Sequence, residues 1–207
     1  MSKTGAEIKT LFVTKLYRAE LEGAAALNKA LLAACRAIAA EDEAGKSWSR
    51  EHGYRGYTSY ASLNDLPKRD PAFAELKRGL DGHARVFASA LHLDLAGKKL
   101  ALDSIWINVL EPGGVHTGHV HPNSVLSGTY YVETPPGSSA LKLEDPRLPL
   151  MMAAPPRRED APESERSFVY LEPKAGEVLM WESFLRHEVP ANGAKKARVS
   201  VSFNYRW

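Results

Sequence analysis

Cysteine is nearly absent from this chain: Cys35 is the only one among 207 residues. A lone cysteine rules out an internal disulfide, and its place in the alanine-rich run AALNKALLAACRAIAA is typical of a small buried hydrophobe. No apolar run reaches membrane-spanning length, and the first residues, MSKTGAEIKT, lack the apolar core of a signal peptide. We therefore expect a cytoplasmic protein with no membrane-spanning segment.

An excess of one charge sign is also missing, since 27 basic residues stand against 25 acidic ones and the net charge is +2. No clustered Lys/Arg face or basic tail stands out, so nucleic acid is not indicated as a partner. The composition, 44% hydrophobic and 25% charged, is that of an ordinary globular protein. There are no internal repeats, and the length suits a single domain over residues 1–207.

The N-terminal part, residues 1–99, reads as mainly helical. TLFVTKLY (10–17) predicts a short strand, and the spacing of apolar residues in 22–43 predicts a helix that ends near Gly45. A polar and aromatic loop follows. Asp70 and Pro71 then form a good helix start, an N-cap followed by proline in the first turn, and an apolar stripe continues from there to about residue 91.

From residue 100 onward, short segments rich in β-branched and aromatic residues alternate with turn signals. Helices followed by such a run indicate an α+β protein, with helices packed on an antiparallel sandwich or barrel that includes the jelly-roll type. The proline-rich stretch 144–167 interrupts this pattern. A loop of that length is either disordered or functional, for instance a lid over a substrate.

Three of the seven histidines fall in GGVHTGHVHPN, residues 113–123. In an extended segment His119 and His121 leave the same face, where two imidazoles can bind one iron, zinc or copper ion. Pro122 places them near the edge of a sheet. His116 faces away by parity, unless Thr117 and Gly118 turn the chain, so we interpret it as a supporting or surface residue. The alternative is a set of exposed histidines at a loop tip.

The C-terminal strands supply complementary chemistry. His187 can complete a three-ligand set that leaves coordination sites open. Arg198 and Ser200 alternate onto one face, and a guanidinium next to a hydroxyl suits a carboxylate. An inward Arg198 would need an anion, because burying an unpaired charge is costly. An outward, solvated Arg198 is the alternative.

Three segments resemble the core of 2-oxoglutarate/iron(II)-dependent oxygenases of the prolyl-hydroxylase type. They are HVHPNSVLSGTYYV, AGEVLMWESFLRHEV and ARVSVSF. The chain is most similar to their bacterial and phage group, and a weaker likeness extends over LFVTKLY, the Asp70 helix and WINVLEP. The resemblance implies a double-stranded β-helix, the jelly-roll or cupin-like fold, over residues 100–207, with the N-terminal helices packed on its sheet.

The resemblance also implies the ligand set. His119 matches the first iron ligand of the family and His187 the distal one. His121 stands where most of the superfamily has a carboxylate, so the ion would be held by three neutral imidazoles. That donor set also describes a catalytic zinc site.

For the co-substrate, the resemblance implies that Arg198 and Ser200 hold the far carboxylate of 2-oxoglutarate. Tyr131 assists them, with Tyr130 as a competitor for this role. Asn108 is a candidate for the other end of the co-substrate.

The implied function is a dioxygenase that requires Fe(II) and 2-oxoglutarate, hydroxylates an unidentified small-molecule or peptide substrate, and releases succinate and CO2. Trp106, Trp181 and Phe184 could form a dry wall around the reaction. Two alternatives stay open: a three-histidine zinc enzyme of cupin-like shape, acting as hydrolase or isomerase, and a non-catalytic jelly roll that binds a small ligand. The helices offer a surface for a homodimer.

Overall fold

The structure, a computed structural model, describes residues 5–207. Its helices are α1 (Ala24–Glu41), α2 (Glu43–Glu51), α3 (Leu66–Arg69) and α4 (Pro71–Ala90). Its strands are β1 (Leu16–Glu20), β2 (Gly56–Thr58), β3 (Ala101–Leu110), β4 (His116–His119), β5 (Leu126–Glu133), β6 (Leu141–Glu144), β7 (Phe168–Leu171), β8 (Glu177–Glu182), β9 (His187–Val189) and β10 (Arg198–Arg206).

The strands form two antiparallel sheets. One has six strands in the order β1-β8-β5-β10-β3-β2, and the other has four in the order β4-β9-β6-β7. The two sheets face each other across a cavity to which both contribute side chains. This arrangement is a double-stranded β-helix with helices on one side, so the predicted fold class is confirmed.

Strand β10 lies at the centre of the larger sheet, between β3 and β5. Because side chains alternate along a strand, its sequence RVSVSFNYR divides into two faces. One face is apolar and packs into the core below the helices: Val199, Val201, Phe203 and Tyr205. The other face carries polar residues that line the cavity, Arg198, Ser200 and Ser202.

Helices α1 and α4 cover the outer face of the larger sheet. Leu31 and Cys35 on α1, and Phe73 and Leu80 on α4, are fully buried in one cluster with the apolar face of β10. The prediction that Cys35 is a buried hydrophobe is therefore confirmed, and burial raises the pKa of its thiol to about 12. Asp70 caps α4 as predicted, because its carboxylate accepts a hydrogen bond of 2.8 Å from the Ala72 amide.

Two predictions for the N-terminal part are wrong. The strand expected over 10–17 begins only at Leu16, where pairing with β8 starts, and Phe12 is 93% exposed. The helix predicted over 22–43 is confirmed as α1, but Gly45 does not end the helical region as expected, because α2 follows and contains it. Asp42 restarts the helix, since its carboxylate accepts a hydrogen bond of 3.0 Å from the Gly45 amide. As a result, part of the predicted aromatic loop is helical.

The stretch 144–167 contains two short 3-10 turns, Leu148–Leu150 and Glu163–Glu165. None of its residues contributes to the wall of the cavity in the described part of the chain. The structure therefore does not place it as a lid. Among residues 5–207, no helix combines the length and apolar character needed to cross a membrane.

Replacing Leu80 by alanine should lower the free energy of unfolding by about 2–5 kcal/mol, because a fully buried leucine leaves a cavity between α4 and the sheet. The control is Val86→Ala on the same helix, where the side chain is 57% exposed and the change should stay within about 0.5 kcal/mol. Urea unfolding followed by circular dichroism measures both. Equal losses would contradict the packing of α4 on the sheet.

Candidate active site

The cavity between the two sheets has a volume of about 350 Å³, a size that suits a small ligand. Polar side chains from β3, β5 and β10 form one wall, and histidines from β4, β9 and the turn after β4 form the opposite wall. Trp48 on α2 and Tyr60, which follows β2, extend the wall on the side of the helices.

His119, His121 and His187 come together in this cavity. One ring nitrogen from each of the three lies within 4.8 Å of the others. The antiparallel register places His119 directly opposite His187. The backbone amide of His121 donates a hydrogen bond of 3.0 Å to the Ser183 carbonyl, which holds the turn after β4 against the segment between β8 and β9.

Two backbone carbonyls orient these rings. The Nδ1–H of His119 donates to the Thr117 carbonyl at 2.7 Å, and the Nδ1–H of His187 donates to the Leu185 carbonyl at 2.9 Å. A carbonyl can only accept, so in the neutral rings Nε2 carries the lone pair. Such outer hydrogen bonds are typical of metal-bound imidazoles, because they fix both the tautomer and the ring orientation.

Burial also keeps two of these rings, His121 and His187, uncharged. It is the main cause that lowers the pKa of His187 to about 3 and that of His121 to about 4, and a positive charge on His119 would add to the effect. A metal must displace protons from its ligands, so histidines that are already neutral bind it without that cost. At metal–nitrogen distances of about 2.1 Å, neighbouring nitrogens on one ion lie about 3.0–3.4 Å apart, so rings that are farther apart than this have to approach one another when the ion binds.

Arg198 lies at the other end of the cavity, and the solvated alternative is excluded because the residue is only 4% exposed. Its guanidinium donates one hydrogen bond of 2.9 Å to the Ser139 carbonyl, while its Nε has no partner. Among residues 5–207, no carboxylate lies within 4.0 Å of this cation. A buried guanidinium with unused donors is the environment that a carboxylate ligand would complete.

Tyr131 adds a second unused donor beside Arg198, behind the residues that line the cavity. Its side chain is fully buried, its hydroxyl has no hydrogen-bond partner, and its ring lies 5.1 Å from the Arg198 guanidinium carbon. Tyr130 points the opposite way, toward α1, where its hydroxyl donates to Asn28 at 2.6 Å. The structure therefore distinguishes the two tyrosines that the sequence left in competition.

Ser200 and Asn108 are direct neighbours across β10 and β3, and both line the cavity. The Asn108 amide already accepts from the Thr58 hydroxyl and donates to the Ser202 hydroxyl, each at 3.0 Å. One amide hydrogen and one lone pair are left for a ligand.

His116 does not face away from the other two histidines, as the alternation of side chains along a strand predicted. A break in the register between His116 and His119 brings the two onto the same side, so His116 also faces the cavity. Its Nε2 is hydrogen-bonded to the Tyr54 hydroxyl at 2.8 Å, and burial, followed by the charge of Arg198, lowers its pKa to about 3. The glycine next to His119, Gly118, was the available signal for this irregularity.

The aromatic walls differ from the sequence prediction in one residue. Trp106 and Trp181 line the cavity as expected, but Phe184 is 53% exposed and lies outside it. Trp48 and Tyr60 take part instead. Their signal in the sequence was the density of aromatic residues between 48 and 60.

Comparison with known families agrees with this geometry. Residues 104–204, which span β3 to β10 almost completely, match the family described as "Putative 2OG-Fe(II) oxygenase". The β-core of this chain is thus similar to the 2-oxoglutarate/iron(II) oxygenase family. No curated protein matches the sequence.

Solved structures share the fold of this chain at low sequence identity. A Pseudomonas putida prolyl-4-hydroxylase matches with a TM-score of 0.61 at 17% identity, over 93% of this chain and 92% of that one. HygX from Streptomyces hygroscopicus, with iron bound, gives 0.58 at 12% identity, over 94% and 83%. The epimerase SnoN in complex with Fe3+, alpha ketoglutarate and nogalamycin RO gives 0.58 at 17% identity, over 93% and 79%.

The cofactors of the family are iron(II) and 2-oxoglutarate, and this chain has a cavity that suits both. Three imidazoles converge at one place, as a divalent ion requires. The unpaired donors of Arg198 and Tyr131 suit the second carboxylate of a dicarboxylic acid.

The stability of the metal-free protein should fall as the pH is lowered from about 6.5 toward 4. The pKa values of His116, His121 and His187 in the fold lie below the usual histidine value of about 6.5. In this window the unfolded chain therefore binds more protons, and the free energy of unfolding decreases with each of them.

His116→Gln should reduce this pH slope by up to about 1.4 kcal/mol per pH unit, because one of these groups is removed. The control is His92→Asn at an exposed histidine with a positive φ, which asparagine tolerates. Urea unfolding of the metal-free proteins at several pH values measures the slopes. Identical slopes in wild type and His116→Gln would contradict the burial of this ring.

Proposed function

We propose that this oxygenase hydroxylates a C–H bond of a small-molecule or peptide substrate, with Fe(II) and 2-oxoglutarate as its cofactors. In the balanced reaction, one oxygen atom of O2 enters the substrate as a hydroxyl group. The other enters succinate, which forms from 2-oxoglutarate with release of CO2. The observation that carries the proposal is the pairing, within one cavity, of a three-imidazole cluster with a buried cation that lacks an anion.

In this proposal His119, His121 and His187 hold the iron through their ring nitrogens, which in His119 and His187 are the unprotonated Nε2 atoms. The bound iron and 2-oxoglutarate supply the oxidising chemistry of the reaction. The carbonyls of Thr117 and Leu185 keep two of the rings aligned before the metal arrives. The protein thus provides a preorganised set of ligands rather than one assembled by the ion.

At the other end, Arg198 and Tyr131 donate hydrogen bonds to the distal carboxylate of 2-oxoglutarate, and Ser200 adds a third donor. Asn108 offers its remaining amide hydrogen to the end nearer the metal. Register supports these roles, because Ser200 lies between Asn108 and Tyr131 on neighbouring strands. Binding a dianion here also offsets the ion's charge, which three neutral ligands leave uncompensated.

A second function, a zinc hydrolase or isomerase, is compatible with the three histidines. It does not account for the unpaired donors of Arg198 and Tyr131, which a metal-bound water would leave unsatisfied. A non-catalytic ligand-binding jelly roll would use these donors but has no need for a metal. The test therefore has to measure the metal and the co-substrate separately.

The test is to purify the protein without chelator, measure its metal content, and follow succinate formation from 2-oxoglutarate with added Fe(II). We expect Fe(II)-dependent turnover, which proceeds slowly even without a substrate. Arg198→Ala should retain the metal and raise the KM for 2-oxoglutarate roughly 10-fold or more, since a hydrogen bond to a charged group contributes about 1.5–3 kcal/mol.

The matched control is Arg206→Ala, at the other end of the same strand, where the arginine is exposed and 3.5 Å from Asp103. This change should leave the KM as it is. Zinc at full occupancy with no response to 2-oxoglutarate would contradict the proposed function and favour the hydrolase.

His121→Asp tests the unusual ligand directly. The change creates the carboxylate that most of the superfamily carries at this position, so iron binding and succinate formation should survive or rise. His119→Ala serves as the reference variant, and it should lose the metal. A His121→Asp protein that binds iron but forms no succinate would show that the ligand assignment is wrong.

A further inference from the structure

The cavity has a region that the proposed function leaves unassigned. Three aromatic side chains form a continuous series of rings that lines the same cavity as the histidines. We call this series the aromatic wall, and it consists of Trp48, Tyr60 and Trp106. The ring centres of Trp48 and Tyr60 are 6.0 Å apart, and those of Tyr60 and Trp106 are 5.3 Å apart. The series ends beside a proposed metal ligand, since Trp106 lies 5.9 Å from His121.

The aromatic wall runs from the surface to the interior. Tyr60 is 55% exposed, whereas Trp106 is only 7% exposed. Neighbouring rings are tilted by 58° and 73°, so the wall consists of edge-to-face contacts rather than a closed stack. Ring faces that the neighbours do not cover are available to a ligand.

The wall is also held rigidly. Asp42 connects α2 to the loop after β2, because its carboxylate accepts hydrogen bonds from the Tyr57 hydroxyl at 2.8 Å and the Ser62 hydroxyl at 2.5 Å. His52 stacks on the Trp48 ring at 4.1 Å, with an angle of 14° between the planes. A preorganised surface loses little freedom when a ligand binds to it.

The wall lies apart from the region proposed for 2-oxoglutarate. Trp106 pairs with Ser202, four residues along β10 from Arg198, which corresponds to about 13 Å. The histidine triad lies beside Trp106, so a molecule on the wall would approach the metal from the side away from Arg198.

Charge narrows the class of ligand. Besides Arg198, Glu188 is the other Asp, Glu, Lys or Arg residue among those that line the cavity, and it is already paired with Lys142 at 2.7 Å. An anion on the wall would therefore lack a basic partner, and burying an unpaired charge is unfavourable. A cation would be attracted by the aromatic faces, but the carboxylate of Glu188 is already paired and the wall offers it no other anionic partner.

We infer that the aromatic wall binds the substrate of the proposed oxygenase, and that the part of the substrate presented to the metal is an uncharged ring. This inference rests on the proposed function for the role of the metal. The shared chemistry is a ring with an apolar face, which an aromatic compound, a sugar or a prolyl residue can each provide.

Three ring compounds of nearly identical shape test the charge requirement: benzamide is neutral, benzoate is an anion and benzamidine is a cation. Binding to the protein with 2-oxoglutarate is followed by saturation-transfer NMR and titration. We expect benzamide to bind at least three times more tightly than either charged analogue. Equal binding of all three, or preference for a charged one, would overturn the inference.

The same titration with methyl β-D-glucopyranoside and N-acetyl-prolinamide identifies the source of the ring. The neutral compound with the lowest Kd indicates the chemical class of the substrate. Binding of none of the three neutral rings would overturn the inference.

Variants locate the binding surface. Trp48→Ala should weaken binding of the best neutral ring roughly 2- to 12-fold, the range for loss of one aromatic contact. The matched control is Trp207→Ala, at a tryptophan that is 60% exposed and donates its indole N–H to the Leu95 carbonyl. This control should bind as the wild type does. Equal affinity of Trp48→Ala and wild type would overturn the inference.

Replacing iron by Mn(II) measures proximity to the metal. The NMR signals of the ring protons of the bound compound should broaden with Mn(II) and stay sharp with Zn(II). If a protein with measured Mn(II) shows no such difference, the placement of the ring near the metal is overturned. Metal content and succinate formation are recorded independently of the ring titration. A protein that turns over 2-oxoglutarate but does not bind the neutral ring compounds therefore refutes only this inference. A protein that binds no metal refutes the proposed function.

Discussion

The pairing of β10 between β3 and β5 is the constraint on which this structure depends. One strand supplies the apolar residues that the helices cover and, on its other face, the polar residues that line the cavity. A shift of one residue would exchange the two faces, which would bring Arg198 under the helices and Val199 into the cavity. The stability of the core therefore keeps the polar end of the cavity in register.

Within the cavity, burial has two opposite consequences. It keeps His187 and His121 neutral, with pKa values of about 3 and 4, and so makes them ready for a divalent ion. It also leaves Arg198, which stays charged, with donors that have no partner. One end of the cavity therefore has lone pairs without a cation, and the other end has a cation without an anion. A metal ion together with a dicarboxylate satisfies both ends.

Local sequence patterns predicted much of the fold and of the site. Asp70 marked a helix start because N-cap chemistry involves only adjacent residues, and the apolar stripe of α4 follows from helical periodicity. The limits appeared where tertiary contacts outweigh local preference. TLFVTKLY has the composition of a strand, but only the part from Leu16 onward finds a partner in β8. Gly45, a typical helix stop, is tolerated inside α2 because it is close-packed against Asp42 and Tyr57.

By itself, the sequence determined which side chains are available: two histidines at alternate positions, a distant third, and an arginine and a serine on one strand face. Only the tertiary structure decided that these groups meet in one cavity, that His116 turns inward at an irregularity in β4, and that Trp48 and Tyr60 join the wall. The physical reason is that alternation and capping act over a few residues, whereas convergence depends on the pairing of strands far apart in the chain. No local pattern encodes that pairing.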